Sequence, residues 1–190
     1  MGANKDLIAV SVLARLNSFS ASEAANEFLK CCGSRRWASR MTEERPFDNL
    51  AKLHETAERI WWSLEPQDWL EAFHSHPKIG EKKTAAVTSD QSKRWSEAEQ
   101  AAVNDAARET LQQLAELNQQ YEKKFGYIFI VCATGKTSEE MLAILRDRLG
   151  NEPTEELRNA AAEQAKITQL RLNKLIDSLP ASGFEPPQVL

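Results

Sequence analysis

Apolar residues recur at helical spacing along most of this chain, and the polar residues that interrupt them read as helix starts and stops. The spacing predicts a first helix from Asp6 to Leu16, with Leu7, Val10, Leu13 and Ala14 on one side. Ser20-Ala21-Ser22-Glu23 forms a capping box that opens a second helix, with Ala24, Ala25, Phe28 and Leu29 inward and Gly33 as its stop. A short arginine-rich helix follows from Ser34 to Met41, broken by Pro46. Asp48 is expected to cap a longer helix reaching about Leu64, with Leu50, Leu53, Ala57, Ile60 and Trp61 at helical spacing. Pro66 starts a short helix to Phe73. Ser96-x-x-Glu99 is a second capping box, and its helix runs to about Lys124 before Phe125-Gly126. Thr137-Ser138-Glu139-Glu140 caps a helix to Leu149, and Pro153 starts a final one carrying Ala160, Ala161, Ile167, Leu172 and Leu175.

Two stretches break this pattern. Residues Glu81 to Lys93 are polar and aperiodic and read as a surface loop. Tyr127-Ile128-Phe129-Ile130-Val131-Cys132-Ala133 is continuous, aromatic and β-branched. A single strand has no partner here, so the run is either buried extended chain or a buried helical turn. The fold class that follows is all-α. One domain of about eight helices spans residues 1–179, with one short extended apolar segment, and a flexible tail spans 180–190.

Composition narrows the function more than the fold. A length of 190 residues suits one domain with a real core, and 42% hydrophobic with 27% charged residues is ordinary for a globular chain. The net charge is −4 with both signs interleaved, which argues against a nucleic-acid surface. No apolar run approaches the roughly 20 residues of a membrane span. Met1 to Asp6 lacks the regions of a signal peptide, and Cys31, Cys32 and Cys132 are an odd count with two adjacent. The expectation is reduced thiols and a cytoplasmic protein.

The stretch from Phe73 to Lys83 holds two of the three histidines, together with Pro77 and Gly80. His76 precedes Pro77, so the chain turns there. Its imidazole is suited to carrying a proton or ligating, and equally to capping the preceding helix. His74 and His76 have metal-compatible spacing, but no further ligand pattern completes a set, so no metal is expected. Ala133-Thr134-Gly135-Lys136-Thr137 resembles the end of a phosphate loop, yet Ile130 stands where that motif needs glycine. Glu99 fits two roles, the third helical position of a capping box or a functional carboxylate at a helix N-terminus. Arg171, between Leu170 and Leu172, is either a solvated position or an inward guanidinium able to hold a carboxylate.

An ordered series ties these pieces together. It comprises Cys31-Cys32-Gly33-Ser34, Arg36-Trp37-Ala38, Arg45-Pro46-Phe47, Asp68 to Phe73, and His76-Pro77-Lys78-Ile79-Gly80. Ser96-x-x-Glu99-Gln100, Phe125-Gly126-Tyr127 and Glu163-x-x-Lys166-Ile167-x-x-Leu170-Arg171-Leu172 complete it. From about Leu7 to Ile176 the chain resembles the bacterial OHCU decarboxylases, which act on 2-oxo-4-hydroxy-4-carboxy-5-ureidoimidazoline. They catalyse the last of the three steps from urate to allantoin. The resemblance implies an all-helical homodimer that needs neither metal nor organic cofactor and yields (S)-allantoin. It implies a catalytic pair, His76 and Glu99, and a substrate site with Pro77, Ser96, Gln100 and Arg171. Backbone groups of Ile128, Ile130, Val131 and Ala133 are expected at the substrate ring. The competing class is a non-catalytic helical interaction module. Five tryptophans and pervasive amphipathicity would suit it, but it gives His76, Glu99 and Arg171 no shared purpose.

Overall fold

The computed structural model describes residues 3–77 and 108–180. Among them are eight helices: α1 (Ala3–Ser18), α2 (Ala21–Cys32), α3 (Arg35–Glu43), α4 (Leu50–Trp62), α5 (Pro66–His74), α6 (Arg108–Phe125), α7 (Ser138–Arg148) and α8 (Pro153–Ser178). The fold is all-α, as the periodicity predicts. The Ser96 capping box, the loop from Glu81 to Lys93 and the 181–190 tail lie outside the described residues.

Local sequence chemistry sets most helix ends. Ser20 and Glu23 close their capping box at α2, and Gly33 ends that helix in the left-handed region at φ 87°. Thr137 and Glu140 do the same at α7, and Pro66 and Pro153 open α5 and α8. Four expectations are corrected. The cap of α4 is Asn49 and not Asp48, because Asn49 Oδ1 accepts from the Lys52 N–H at 2.8 Å. That helix also stops at Trp62 and not Leu64, while α3 continues past Met41 to Glu43. On α1, Ala14 faces outward; Val12, Leu13 and Leu16 make the buried stripe.

The long α8 packs against α1, α2, α4, α5 and α6, so the core is organised around it. Three buried indoles bond across the packed helices while filling the core. Trp37 Nε1 donates to the Ala57 carbonyl at 3.0 Å, Trp61 Nε1 to Ala161 at 2.9 Å, and Trp69 Nε1 to Trp61 at 3.0 Å. Phe28 meets Trp37 and Phe47 edge-on at 6.0 and 6.2 Å. Arg45 and Phe47 pin the α3–α4 connection to the end of α1. The Arg45 guanidinium donates to the carbonyls of Leu16 and Phe19 at 3.1 and 2.8 Å, around the point where α1 ends. Asn17 and Phe47 exchange two hydrogen bonds of 3.0 Å.

Tyr127 to Ala133 is buried extended chain, which resolves the alternative left open by its sequence. Side chains take the place of a neighbouring strand. Asn118 Oδ1 accepts from the Phe129 N–H at 3.1 Å, and Arg148 donates to the Ile130 carbonyl at 2.8 Å. Glu163 accepts from the Cys132 N–H at 2.7 Å, and Lys136 donates to the Cys132 carbonyl at 2.8 Å. No helix among the described residues is long and apolar enough to cross a membrane.

Candidate active site

Three chain segments meet at one corner of α8. From α5, residues Ser75 and His76 arrive at the helix exit. From α2 come Cys31, Cys32 and Gly33. From α8 itself come Gln164, Thr168 and Arg171, which occupy positions i, i+4 and i+7 and therefore share a face. All three are buried, with Arg171 only 1% exposed, so this helix carries a polar stripe through the core.

The approach of α5 depends on the α2 stop. A Cβ built at Gly33 would lie 2.1 Å from Ser75 Oγ and 3.3 Å from the Ala72 carbonyl. Glycine thus serves two needs there, a positive φ and the space into which the residue before His76 fits. Ser34 caps α3 by accepting from the Trp37 N–H at 3.3 Å. Glu71 reaches the first N–H of α3, on Arg35, at 3.0 Å, and Asp68 pairs with Arg36 at 3.4 Å. These contacts fix α5 against α3 and so set where His76 leaves the helix.

The two histidines separate in role. His74, which is exposed, uses Nδ1 on the Leu70 carbonyl at 2.6 Å, capping its own helix. His76 does not; its Nε2 lies 2.7 Å from Gln164 Oε1 across the helix packing. Gln164 Nε2 donates to the Cys32 carbonyl at 3.4 Å and to Thr168 Oγ1 at 3.2 Å. Burial, and then the positive charge of Arg171, push the His76 imidazole down to about 3, against the Gln164 hydrogen bond, which favours the cation. Burial likewise pushes the Cys32 thiol up to about 12 and the Cys31 thiol higher still, so both are inert packing groups. Among the described residues, no group of three histidine, cysteine or acidic side chains is placed to hold a metal ion.

The extended run joins the same turn of α8 through the neighbouring residue. Burial raises the Glu163 carboxyl, but hydrogen bonds from Lys166 and the Cys132 N–H, with the charges of Lys166 and Lys136, outweigh it and leave it below the ordinary range. Phe73 and Tyr127 also touch, with ring centroids 5.3 Å apart. His76 thus lies within reach of the Arg171 charge, with Pro77 exposed beside it, and the run that contains Ile128, Ile130, Val131 and Ala133 meets α8 at Glu163, the residue before Gln164. Some of the run's groups are already engaged: Arg148 holds the Ile130 carbonyl and the Lys136 N–H holds that of Ala133 at 3.0 Å. No hydrogen bond among the described residues uses the N–H of Ile130, Val131 or Ala133. Ser96, Glu99 and Gln100 lie outside the described residues. Sequence reading passed over Gln164 and Thr168; the signal for them was polar residues at four- and three-residue spacing ahead of Arg171, inside a buried stripe.

Comparison with known proteins resolves the family. The model of the OHCU decarboxylase family matches residues 17–173. The chain belongs to the OHCU decarboxylase family. Among similar proteins, the uric acid degradation bifunctional protein TTL of Arabidopsis thaliana is 42% identical over 79% of this chain and 46% of its own length. The 2-oxo-4-hydroxy-4-carboxy-5-ureidoimidazoline decarboxylase of Amia calva is 34% identical over 70% of this chain and 75% of its own. A crystal structure of an OHCU decarboxylase in the presence of (S)-allantoin matches at TM-score 0.69 and 40% identity, over 80% of this chain and 99% of that one. The chain spans less than half the length of the three bifunctional relatives it matches.

Proposed function

We propose that this protein is a carboxy-lyase that converts 2-oxo-4-hydroxy-4-carboxy-5-ureidoimidazoline to (S)-allantoin and CO2, with His76 and Glu99 moving protons and Arg171 orienting the substrate. The observation that carries the proposal is the corner of α8, where a buried guanidinium acts on a neutral imidazole beside a run of extended backbone. Family membership supplies the substrate class.

The chemistry needs little beyond positioning. The carbon that loses CO2 carries a hydroxyl and adjoins a C=N carbon. As the C–CO2 bond breaks, its electron pair forms a C=C bond, and the imine nitrogen takes up the displaced pair and a proton. The hydroxyl of the resulting enol then gives up its proton while the neighbouring carbon gains one, which yields the hydantoin ring of allantoin. Counted from the carboxylate, one proton is consumed and one CO2 released. The substrate's own C=N group is the electron sink, so the reading assigns no metal or organic cofactor.

Within that sequence Arg171 fixes the carboxylate by a planar two-point contact. His76 and Glu99 share the proton transfers, and delivery from one face sets the S configuration. Ser96, Gln100, Pro77 and the backbone of Ile128, Ile130, Val131 and Ala133 complete the contacts to the ring and ureido group. Arg171 also links capture to basicity. A carboxylate bound beside it offsets the charge that depresses His76, so the imidazole gains proton affinity when substrate arrives and loses it when CO2 leaves. A cytoplasmic homodimer completes the reading, resting on the family resemblance.

The test is stereochemical. Freshly generated substrate should be consumed faster than its spontaneous decay, with a circular dichroism signal of one allantoin enantiomer. Racemic product at the spontaneous rate would remove the proposal.

A further inference from the structure

We infer that Gln164 is a positioning residue that locks the His76 imidazole as its Nε2–H tautomer, leaving Nδ1 as the nitrogen that accepts a proton. The tautomer follows from hydrogen bonds alone; its catalytic use rests on the decarboxylase reading above.

The argument starts at the end of α2. The last carbonyls of a helix have no partner within it, and Cys32 supplies one of them. A carbonyl can only accept, so the part of the Gln164 amide that faces it at 3.4 Å is the NH2 group. The same NH2 group lies 3.2 Å from Thr168 Oγ1. Turning the amide over would set its oxygen against the Cys32 carbonyl oxygen and forfeit that bond, whereas the Thr168 hydroxyl can serve either orientation, so the carbonyl fixes the amide. With the amide so held, Oε1 points at His76 Nε2 from 2.7 Å. An amide oxygen cannot donate, so the hydrogen in that contact belongs to the imidazole. The charge of Arg171 nearby and the burial of the ring keep it to a single proton. That proton is therefore on Nε2, and the lone pair is on Nδ1.

Among the described residues, Arg171 on α8 is the charged side chain that acts on the ring; the Cys31 and Cys32 thiols on α2 are kept protonated by burial, and the Glu71 carboxylate on α5 is bound to Arg35. Gln164 and Thr168 are themselves buried, so the part of this chain of contacts between the Cys32 carbonyl and Gln164 is shielded from water, and it ends on a half-buried ring. The consequence for catalysis is directional. A histidine free to choose its tautomer presents the right nitrogen part of the time, whereas the locked ring presents Nδ1 at every encounter.

The experiment is 15N NMR of histidine-labelled, ligand-free protein, with the His76 ring assigned by its loss in His76→Asn. Long-range nitrogen–proton correlations should show a protonated Nε2 and an unprotonated Nδ1 near neutral pH. Gln164→Met, which cannot accept the hydrogen bond, should give a mixture of tautomers and lose roughly 10- to 100-fold in kcat, the usual cost of removing a ligand-orienting partner. Gln164→Glu keeps an acceptor oxygen and should retain the Nε2–H pattern while raising the pH at which the ring gains its second proton. A wild-type ring protonated on Nδ1 would overturn the inference, as would an unchanged Nε2–H pattern in Gln164→Met. If Gln164→Met does not fold, the wild-type and Gln164→Glu spectra decide the tautomer. Because the spectra need no substrate, absence of decarboxylase activity would sink the catalytic reading while leaving the tautomer result to stand or fall separately.

Discussion

Two buried arginines in this protein act on different kinds of neighbour. Arg148, on α7, is closed into a network. Its guanidinium bonds Glu156 at 2.7 and 2.5 Å, the Ile130 carbonyl at 2.8 Å and the Tyr121 hydroxyl at 3.3 Å, and lies 4.8 Å from the Phe129 ring centre. Tyr121 donates to Glu156, and Asn151 donates to the other Glu156 oxygen at 2.8 Å. Each buried charge there has its opposite in contact, which is the condition under which an ion pair survives in a core. Arg171, on α8, also lowers the proton affinity of a neighbouring imidazole, because its charge opposes the charged form of His76. The first arrangement fastens the extended run to the fold; the second tunes a titratable ring.

Substitutions that separate the two regions should produce opposite phenotypes. The largest effect is expected from His76→Asn, which should stay folded and lose about 10²–10⁴-fold in turnover, the usual contribution of general acid–base catalysis. Steady-state rates together with a thermal melt check this, and near-normal turnover in a folded variant would remove His76 from the chemistry. Arg148→Met should do the reverse. Leaving Glu156 buried and unpaired costs about 3–5 kcal/mol, read as a lowered urea midpoint, and protein that remains folded should keep His76 and Arg171 in place. An Arg148→Met variant with an unchanged urea midpoint would erase the distinction.

Arg171→Lys sharpens the comparison from the other side. Charge is kept but the planar fork is lost, and a charged hydrogen bond of about 1.5–3 kcal/mol corresponds to roughly a ten- to hundred-fold rise in KM. A smaller change in kcat is expected, since the carboxylate becomes neutral CO2 and a firmer grip would stabilise the ground state. Inhibition by allantoin, which lacks that carboxylate, should change less; an equal loss would place Arg171 on the ring or ureido group.

The last expected effect is on acid stability. The folded His76 is depressed to about 3 from an ordinary 6.5, so in that interval the unfolded chain binds a proton that the folded chain does not. Stability from keeping this ring neutral is complete above about pH 6.5 and declines as pH falls toward 3. His76→Asn should flatten that part of the stability curve, measured by urea titrations at several pH values. An unchanged slope would mean that the ring titrates normally.

Much of the scaffold was legible because its signals are local. Capping boxes at Ser20 and Thr137, the Gly33 stop and the prolines at 66 and 153 act within a few residues, and each acts where the pattern predicts. The Asn49 cap escaped because two adjacent capping residues compete, and only the register of the following helix chooses between them. The extended run was visible as an anomaly, but not how it is satisfied, since Asn118, Arg148 and Glu163 come from three different helices. At the site, His76 and Arg171 stood out by residue type and by resemblance. Gln164 did not, because an uncharged amide on a polar-looking helix carries no mark until the fold places it between a helix-end carbonyl and an imidazole.

The three bonded indoles have an optical consequence. Trp37, Trp61 and Trp69 are shielded from solvent and tied to helix carbonyls, whereas Trp62, 44% exposed, stands edge-on to Trp69 with centroids 5.9 Å apart. Intrinsic emission from this part of the molecule should divide into a blue-shifted component that dissolved quenchers hardly reach and a red-shifted one that they extinguish. The shielded emitters lie on the α3–α4, α4–α8 and α4–α5 contacts. Separation of any of these helix pairs would move light from one component to the other, so the protein carries its own wavelength-coded gauge of core integrity.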